Sequence, residues 1–258
     1  MSSNTPAPKP VHPLAHRLRR ARILNVVLGA VAAFLLVIVI AQSIPGATQE
    51  PAAGAQQGQT PATEGGAGAG ANATEEIATR DPDDPFAIGD VDAPVVLVEW
   101  ADFRCPFCAV VTNQTLPTIF EEYVDTGLVR YEFRDVAFFG EESVDAAVAA
   151  RAAGEQGRFP EYLEALFAAA PEKGHPDMPR EKLIGFATTA GVPDLAKFEQ
   201  DLDRADLHDA VLASTDAAQK LGVTSVPFFV AGDQVIAGAQ PIENFRALLD
   251  EQLAAAGE

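Results

Sequence analysis

Residues 95–108 read VVLVEWADFRCPFC and contain both cysteines of the chain, Cys105 and Cys108. The four apolar residues at 95–98 predict a buried strand, and the pattern after the cysteines predicts a helix. Cys105 then lies at a strand-to-helix junction, where unpaired backbone N–H groups and the helix dipole favour a thiolate. We therefore expect an exposed Cys105 with a thiol pKa lowered into the range of roughly 3.5–7.5. Cys108, one helical turn further on, can form a disulfide with it.

The charge of the chain is distributed unevenly. Residues 1–22 carry five basic residues and no acidic one, so the other 13 basic and 37 acidic residues give the remainder a net charge of −24. Such an acidic surface repels phosphate groups, which argues against a nucleic acid partner. The 258 residues, 48% of them hydrophobic, allow one sizeable domain with appendages.

A 19-residue apolar run at 23–41 contains Asn25 as its only strongly polar side chain. This length of helix spans a hydrocarbon core of roughly 30 Å. The basic cluster in front of it places the N-terminus in the cytoplasm and the rest of the chain outside. A cleaved signal peptide, with a small-x-small site at 41–43, is the alternative. In either case the cysteines work outside the reducing cytosol, where a thiol pair can be kept oxidised.

Composition divides the chain into four parts. We expect a cytoplasmic basic segment at 1–22, a single-pass transmembrane anchor at 23–41 and a disordered Ala/Gly/Pro-rich tether at 42–79. The folded domain then covers 80–258.

The order of elements in this domain is strand, helix, strand, a block of helices, hairpin and helix. The first helix, 106–124, should be kinked by Pro117, and 128–136 alternates as a second strand. Ser143 is a candidate N-cap for the helical block, which covers about 141–222. A hairpin at 226–230 and 234–237 and a helix from Pro241 complete the domain.

Three features in this order carry a family resemblance: the motif CPFC at 105–108 after a buried strand, the helical block, and TSVP at 224–227 before the hairpin. The chain resembles the DsbA-type thiol-disulfide oxidoreductases of the thioredoxin superfamily, in their membrane-tethered envelope form, over about residues 85–256. The resemblance implies an α/β, thioredoxin-like fold with a helical insertion between the second strand and the closing hairpin.

The resemblance also implies roles for the site. Cys105 would be the nucleophile and Cys108 its buried resolving partner. Pro227, in the cis form, would face the disulfide and, with Val226, bind extended substrate. The Cys105–Cys108 disulfide would be the only redox group, with no further cofactor.

Glu99 ends the apolar strand six residues before Cys105. A carboxylate there is desolvated, so its pKa should be raised, which suits a proton acceptor for Cys108. Thioredoxin-like proteins place a buried acid at this position. The alternative is that Glu99 points to solvent.

The dipeptide between the cysteines departs from the best-known oxidants, because Phe107 stands where they have histidine. The nearest charges are Arg104, which would favour a Cys105 thiolate, and Asp102, which would oppose it. We expect Phe107, Phe103 and Phe228 to form an apolar rim for unfolded substrate, although each suits ordinary packing as well.

Other site types find little support. His175 and His208 lie far apart without ligand spacing, and two cysteines are half a zinc site, so we expect no metal. The leading hypothesis is a monomeric enzyme that donates its disulfide to exported proteins and is re-oxidised by a membrane partner. A disulfide reductase or isomerase, and a non-catalytic peptide-binding or chaperone module, are the alternatives.

Overall fold

The computed structural model of this chain describes Thr74 and residues 77–257. No helix within these residues is long and apolar enough to cross a bilayer. The basic segment 1–22, the anchor 23–41 and nearly all of the tether 42–79 lie outside the described residues, so they stay predictions.

A five-stranded mixed sheet forms the centre of the domain, in the spatial order β1-β3-β2-β4-β5. The strands are β1 (Ala87–Ile88), β2 (Val95–Ala101), β3 (Val129–Asp135), β4 (Phe228–Ala231) and β5 (Gln234–Ala237). β2 and β3 are parallel, and the other neighbours are antiparallel. All seven residues of the central β2 are buried, because it has a strand on both sides and helices over its faces. This explains the uninterrupted apolar run at 95–98.

The first helix, α1, begins at Pro106 and continues to Val124 through segments of two kinds. Pro106–Val110 and Leu116–Ile119 are α-helical, whereas Val111–Thr115 and Phe120–Val124 are π-helical. Pro117 lacks an N–H and its ring crowds the preceding turn, and the wider π-helical turn in front of it makes room for that ring. The helix predicted at 106–124 is confirmed.

Five helices lie between β3 and β4: α2 (Glu141–Gly154), α3 (Phe159–Ala168), α4 (Arg180–Thr189), α5 (Leu195–Asp201) and α6 (Ala205–Lys220). The alanine-rich α2 contacts the other four, since its small side chains allow close approach. The last helix, α7 (Ile242–Ala256), packs on β2, β4 and β5. This is a thioredoxin-like α/β fold with a helical insertion, as the resemblance implied.

The N-cap predicted for α2 was wrong. Gly140 is the N-cap, at a φ of 88° that favours glycine, and Ser143 lies inside the first turn. The hydroxyl of Ser143 instead donates to Asp102 Oδ1 at 2.9 Å. It therefore ties the start of the insertion to the loop that precedes Cys105.

The segment entering the domain is fixed to the sheet by Glu132, a buried residue of β3. Its carboxylate accepts hydrogen bonds from the backbone N–H groups of Thr79 and Arg80, both at 2.9 Å. It also forms ion pairs with Arg130 at 2.9 Å and Arg134 at 2.5 Å. Burial opposes its charge, but these donors together hold the pKa of Glu132 below its usual range.

Candidate active site

Cys105 occupies the N-cap of α1, at the carboxyl end of the central strand. Its φ and ψ of −78° and 117° are extended, and its carbonyl accepts the first helical hydrogen bond, from the N–H of Ala109 at 3.1 Å. Its own N–H donates to the carbonyl of Asp102 at 3.0 Å. Both thiols are free, so the structure represents the dithiol form.

The expectation that Cys105 is exposed was wrong, since only 3% of the residue is accessible. Its Sγ lies 3.6 Å from the carbonyl oxygen of Val226, so the loop before β4 covers it. The pKa of Cys105 is lowered, as predicted. A hydrogen bond from the Cys108 thiol lowers it most, and the N–H groups of Cys108 and Phe107 add to the effect. Burial and the charge of Asp102 oppose this shift.

Cys108 is completely buried, one turn into the helix. Burial raises its pKa well above its ordinary value, and the hydrogen bond to Cys105 and the charges of Cys105 and Glu99 raise it further. The two thiols therefore differ strongly, because Cys105 ionises first and Cys108 holds its proton.

The peptide bond between Val226 and Pro227 is cis, as the resemblance implied. Both residues are buried, and the Pro227 carbonyl accepts a hydrogen bond from the N–H of Gly238 at 2.8 Å, just past β5. The hairpin thus fixes this loop against the Cys105 sulfur.

Glu99 lies in the middle of the sheet, opposite Phe133 of β3 and Phe229 of β4, and is fully buried. It does not point to solvent. Burial raises its pKa from 4.5 to about 8, the hydrogen bond from Tyr131 lowers it in part, and the charge of Cys105 raises it. At neutral pH the carboxyl group is therefore mostly protonated, and it titrates in the range where thiols exchange protons.

Arg104 does not face Cys105. Its guanidinium donates to the carbonyls of Pro176 and Phe139, both at 2.8 Å, and pairs with Glu142 at 2.9 Å. Arg104 therefore fastens the loop before the cysteines to the helical insertion. His175 reinforces this connection, with its Nδ1 at 3.2 Å from the Arg104 carbonyl.

Asp102, also buried, supports the same loop from the other side. It accepts hydrogen bonds from the N–H groups of Arg104 at 2.8 Å and Phe138 at 2.7 Å, besides the Ser143 hydroxyl. Burial outweighs these bonds and raises the pKa of Asp102.

The three phenylalanines predicted to form a rim lie in different environments. Phe107 is 62% exposed beside the cysteines, and Phe228 is half-buried against Trp100. Phe103 is 1% exposed and packs on Phe133 and Phe167, so its place in a surface rim was wrong. It is an ordinary core residue.

Tyr131 was not identified from the sequence. Its hydroxyl donates a hydrogen bond to Glu99 Oε2 across the β2–β3 pair. The sequence did contain a signal for it: a tyrosine in a strand next to a buried acid, because a buried phenol needs a polar partner.

In the described part of the chain, no three His, Cys, Asp or Glu side chains cluster as metal ligands.

Comparison with known proteins agrees with this geometry. Residues 81–251 match the model of a thioredoxin family. Disulfide bond formation protein D of Bacillus subtilis is 28% identical over 177 residues, covering 64% of this chain and 76% of that protein. A probable disulfide bond formation protein D of Bacillus cereus is 32% identical over 145 residues, covering 55% and 67%.

A solved structure gives the same result. Oxidised BdbD from Bacillus subtilis superposes with a TM-score of 0.62 at 25% sequence identity. The match covers 67% of this chain and 94% of that one.

Proposed function

Because the chain belongs to the thioredoxin family, we propose that it donates the Cys105–Cys108 disulfide to exported proteins outside the cytoplasm. It is a protein thiol-disulfide oxidoreductase, and we assign the transfer of electrons to the cysteine pair alone. The names of its Bacillus relatives, which refer to disulfide bond formation, support this reading.

One observation carries the proposal: two adjacent thiols with opposite pKa shifts, the lower at a helix N-cap against the Val226 carbonyl. A stabilised Cys105 thiolate is a good leaving group and makes the dithiol form favourable, which is the property of a disulfide donor. The loop of Pro227 offers backbone groups to an extended substrate beside the sulfur.

The reaction would proceed in two exchanges. A substrate thiolate attacks the Cys105 sulfur, the Cys105–Cys108 bond breaks, and Cys108 leaves as a thiolate that takes a proton from Glu99. A second substrate thiolate then attacks the substrate sulfur of the mixed disulfide and releases the Cys105 thiolate. The substrate has lost two electrons, the enzyme has gained them, and a membrane partner re-oxidises it. In the reverse direction Glu99 accepts the proton of Cys108.

The location is part of the proposal. The basic segment and apolar run at 1–41 would anchor the domain on the outer side of the membrane, and the segment 42–79 would act as the tether. This arrangement would keep the domain near emerging chains and near its oxidant.

The experiment uses the oxidised full chain and a reduced, unfolded protein with several cysteines. We expect stoichiometric transfer of one disulfide and complete loss with Cys105→Ser. When reduced Cys108→Ser is instead given the same protein with its disulfides formed, the Cys105 thiolate should attack one of them, release a substrate thiolate and remain trapped as a mixed disulfide. Undiminished transfer by Cys105→Ser would contradict the proposal. Peptide binding that survives without any disulfide transfer would favour the binding module instead.

Equilibration of the cysteine pair with glutathione buffers decides whether the enzyme donates disulfides or reduces them. A potential more oxidising than that of glutathione supports a donor. A more reducing potential would assign the same site to a reductase.

A further inference from the structure

Tyr131 forms the one hydrogen bond that the described residues give to the Glu99 carboxyl group. It lies in β3 opposite Leu97 of β2 and is fully buried, with its ring against Phe120 at a centroid distance of 5.1 Å. Its hydroxyl binds Oε2 of Glu99. The other oxygen, Oε1, is also buried and has no hydrogen-bond partner within the part of the chain described.

A buried carboxyl oxygen without a partner is costly, because water is excluded and nothing replaces it. The arrangement is asymmetric, with one oxygen held by a neutral donor and one left free. An arginine or lysine partner would keep the carboxylate charged at neutral pH. A phenol instead fixes the orientation of the group and lets its charge change.

We propose that Tyr131 is a positioning residue for the thiol-disulfide exchange: it holds Glu99 Oε2 and so leaves Oε1 free to exchange a proton with Cys108. This inference rests on the proposed function, since it names the residue that prepares the proton donor and acceptor. The phenol keeps its own proton throughout.

The charged and titratable groups that face Glu99 come from α1 and β3, because β4 places the apolar Phe229 opposite it. From α1, the charge of Cys105 raises the pKa of Glu99, and the charges of Cys105 and Glu99 raise that of Cys108. From β3 the hydroxyl of Tyr131 donates to Glu99 and lowers its pKa. Tyr131 itself titrates well above its ordinary value of 10, because burial and the charges of Glu99 and Cys108 outweigh the opposing charge of Arg134.

The test follows the step in which Cys108 loses its proton. The Cys105 thiolate of the reduced full chain first attacks oxidised glutathione, whose S–S bond breaks, so that one glutathione leaves as a thiolate and the other stays on Cys105 as a mixed disulfide. The Cys108 sulfur then attacks Cys105, the Cys105–glutathione bond breaks, glutathione leaves as a thiolate, and the Cys108 proton goes to Glu99. The rate at which the attack of Cys108 releases glutathione from Cys105 is measured from pH 5 to pH 10. Its midpoint is expected at or below about 8, since the mixed disulfide removes the Cys105 charge that raises the pKa of Glu99.

With Tyr131→Phe the carboxylate loses the one donor that the described residues provide, so the midpoint should rise by about one pH unit. Release at pH 7 should fall about tenfold, the usual size for removing a hydrogen bond to a buried charge, and should approach the wild-type rate at high pH. A merely structural role would change the rate equally at all pH values. An unchanged midpoint overturns the proposal.

Two matched variants isolate the effect. Tyr162→Phe removes a buried hydroxyl that donates to the Leu183 carbonyl at 3.2 Å in the helical insertion, and the midpoint should stay at the wild-type value. In the Cys108→Ser background only the first attack by Cys105 remains, and Tyr131→Phe should leave its rate unchanged. A rise of the midpoint with Tyr162→Phe, or a slower first attack, would contradict a specific role for Tyr131.

A second experiment strengthens the Tyr131 hydrogen bond instead of removing it, and it applies even if Tyr131→Phe does not fold. Replacement of the three tyrosines of the chain by fluorotyrosine makes the phenol a stronger donor, so the midpoint should move down. A midpoint that stays or rises would overturn the inference. Failure of the proposed function is measured separately, by the disulfide transfer from the oxidised wild-type chain to a reduced protein, and it leaves the pH dependence of glutathione release to test Tyr131.

Discussion

Glu99→Gln should stabilise the dithiol form of the domain at neutral pH. The carboxyl group of Glu99 is fully buried, accepts one hydrogen bond from Tyr131 and forms no ion pair with the described residues. Its charged form is therefore poorly compensated. Glutamine has the same shape, keeps an oxygen for the Tyr131 hydroxyl and carries no charge.

The magnitude follows from the pKa of Glu99, which is about 8 in the folded chain against an ordinary value of 4.5. Between these values the folded state binds more protons than the unfolded state, so the free energy of unfolding falls as the pH rises. The slope is about 1.4 kcal/mol per pH unit. From pH 5 to pH 7.5 the wild type should lose about 3 kcal/mol through this group, and the glutamine variant should not.

Urea unfolding of both proteins under reducing conditions at pH 5, 6.5 and 7.5 measures this difference. Glu132→Gln is the matched control, because Glu132 is equally buried but pairs with Arg130 and Arg134 and has a lowered pKa. Its contribution is present above its unfolded pKa and is lost as the pH falls through the folded value. This variant should therefore lose about 3 kcal/mol at pH 7.5. A Glu99→Gln gain that does not grow with pH would refute the reasoning.

Three further predictions concern the cysteine loop and its surroundings. The absorbance of thiolate at 240 nm should show Cys105 ionising below its ordinary value of 9 and Cys108 remaining protonated well above it; one shared midpoint near 9 would contradict the asymmetry. Arg104→Gln should destabilise the domain by about 2–3 kcal/mol and speed amide exchange in residues 138–142 and 175–178, because it removes the ion pair with the partly exposed Glu142 and two hydrogen bonds from a largely buried guanidinium to carbonyls; exchange unchanged in both segments would disprove the connection. Phe107→Ser should change the free energy of unfolding by less than about 0.5 kcal/mol and raise KM for an unfolded protein substrate several-fold, and an unchanged KM would exclude Phe107 from substrate binding. Phe103→Ala, in the core, should instead lower the free energy of urea unfolding by about 3–5 kcal/mol.

The parts of the site that depend on local sequence were predictable. The apolar run at 95–98 determines the central strand, and Pro106 after Cys105 marks the helix start, so the position of Cys105 at an N-cap followed. The burial of Glu99 followed from its place at the end of that run. The cis form of Pro227 did not follow from local sequence and came from the family resemblance alone.

The other features of the site depend on contacts between residues that are distant in the chain, and local sequence does not predict them. Cys105 is buried because Val226, 121 residues later, packs over its sulfur. Arg104 turns towards residues 139–176 of the insertion, and no pattern around residue 104 indicates this direction. Phe103 has the same apolar character as Phe107, and only the packing of Phe133 and Phe167 separates core from surface.

The attachment of residues 79 and 80 to Glu132 has a mechanical consequence. A pull that reaches the domain from the N-terminal side of the chain acts first on Thr74, whose N–H and hydroxyl donate to the Gly232 carbonyl, and then on these two backbone N–H groups. The load passes through their hydrogen bonds into β3 and is resisted in shear by a strand bonded on both sides. The loop that carries the two cysteines lies outside this route, so a force on the N-terminal side can move the domain without displacing Cys105 and Cys108.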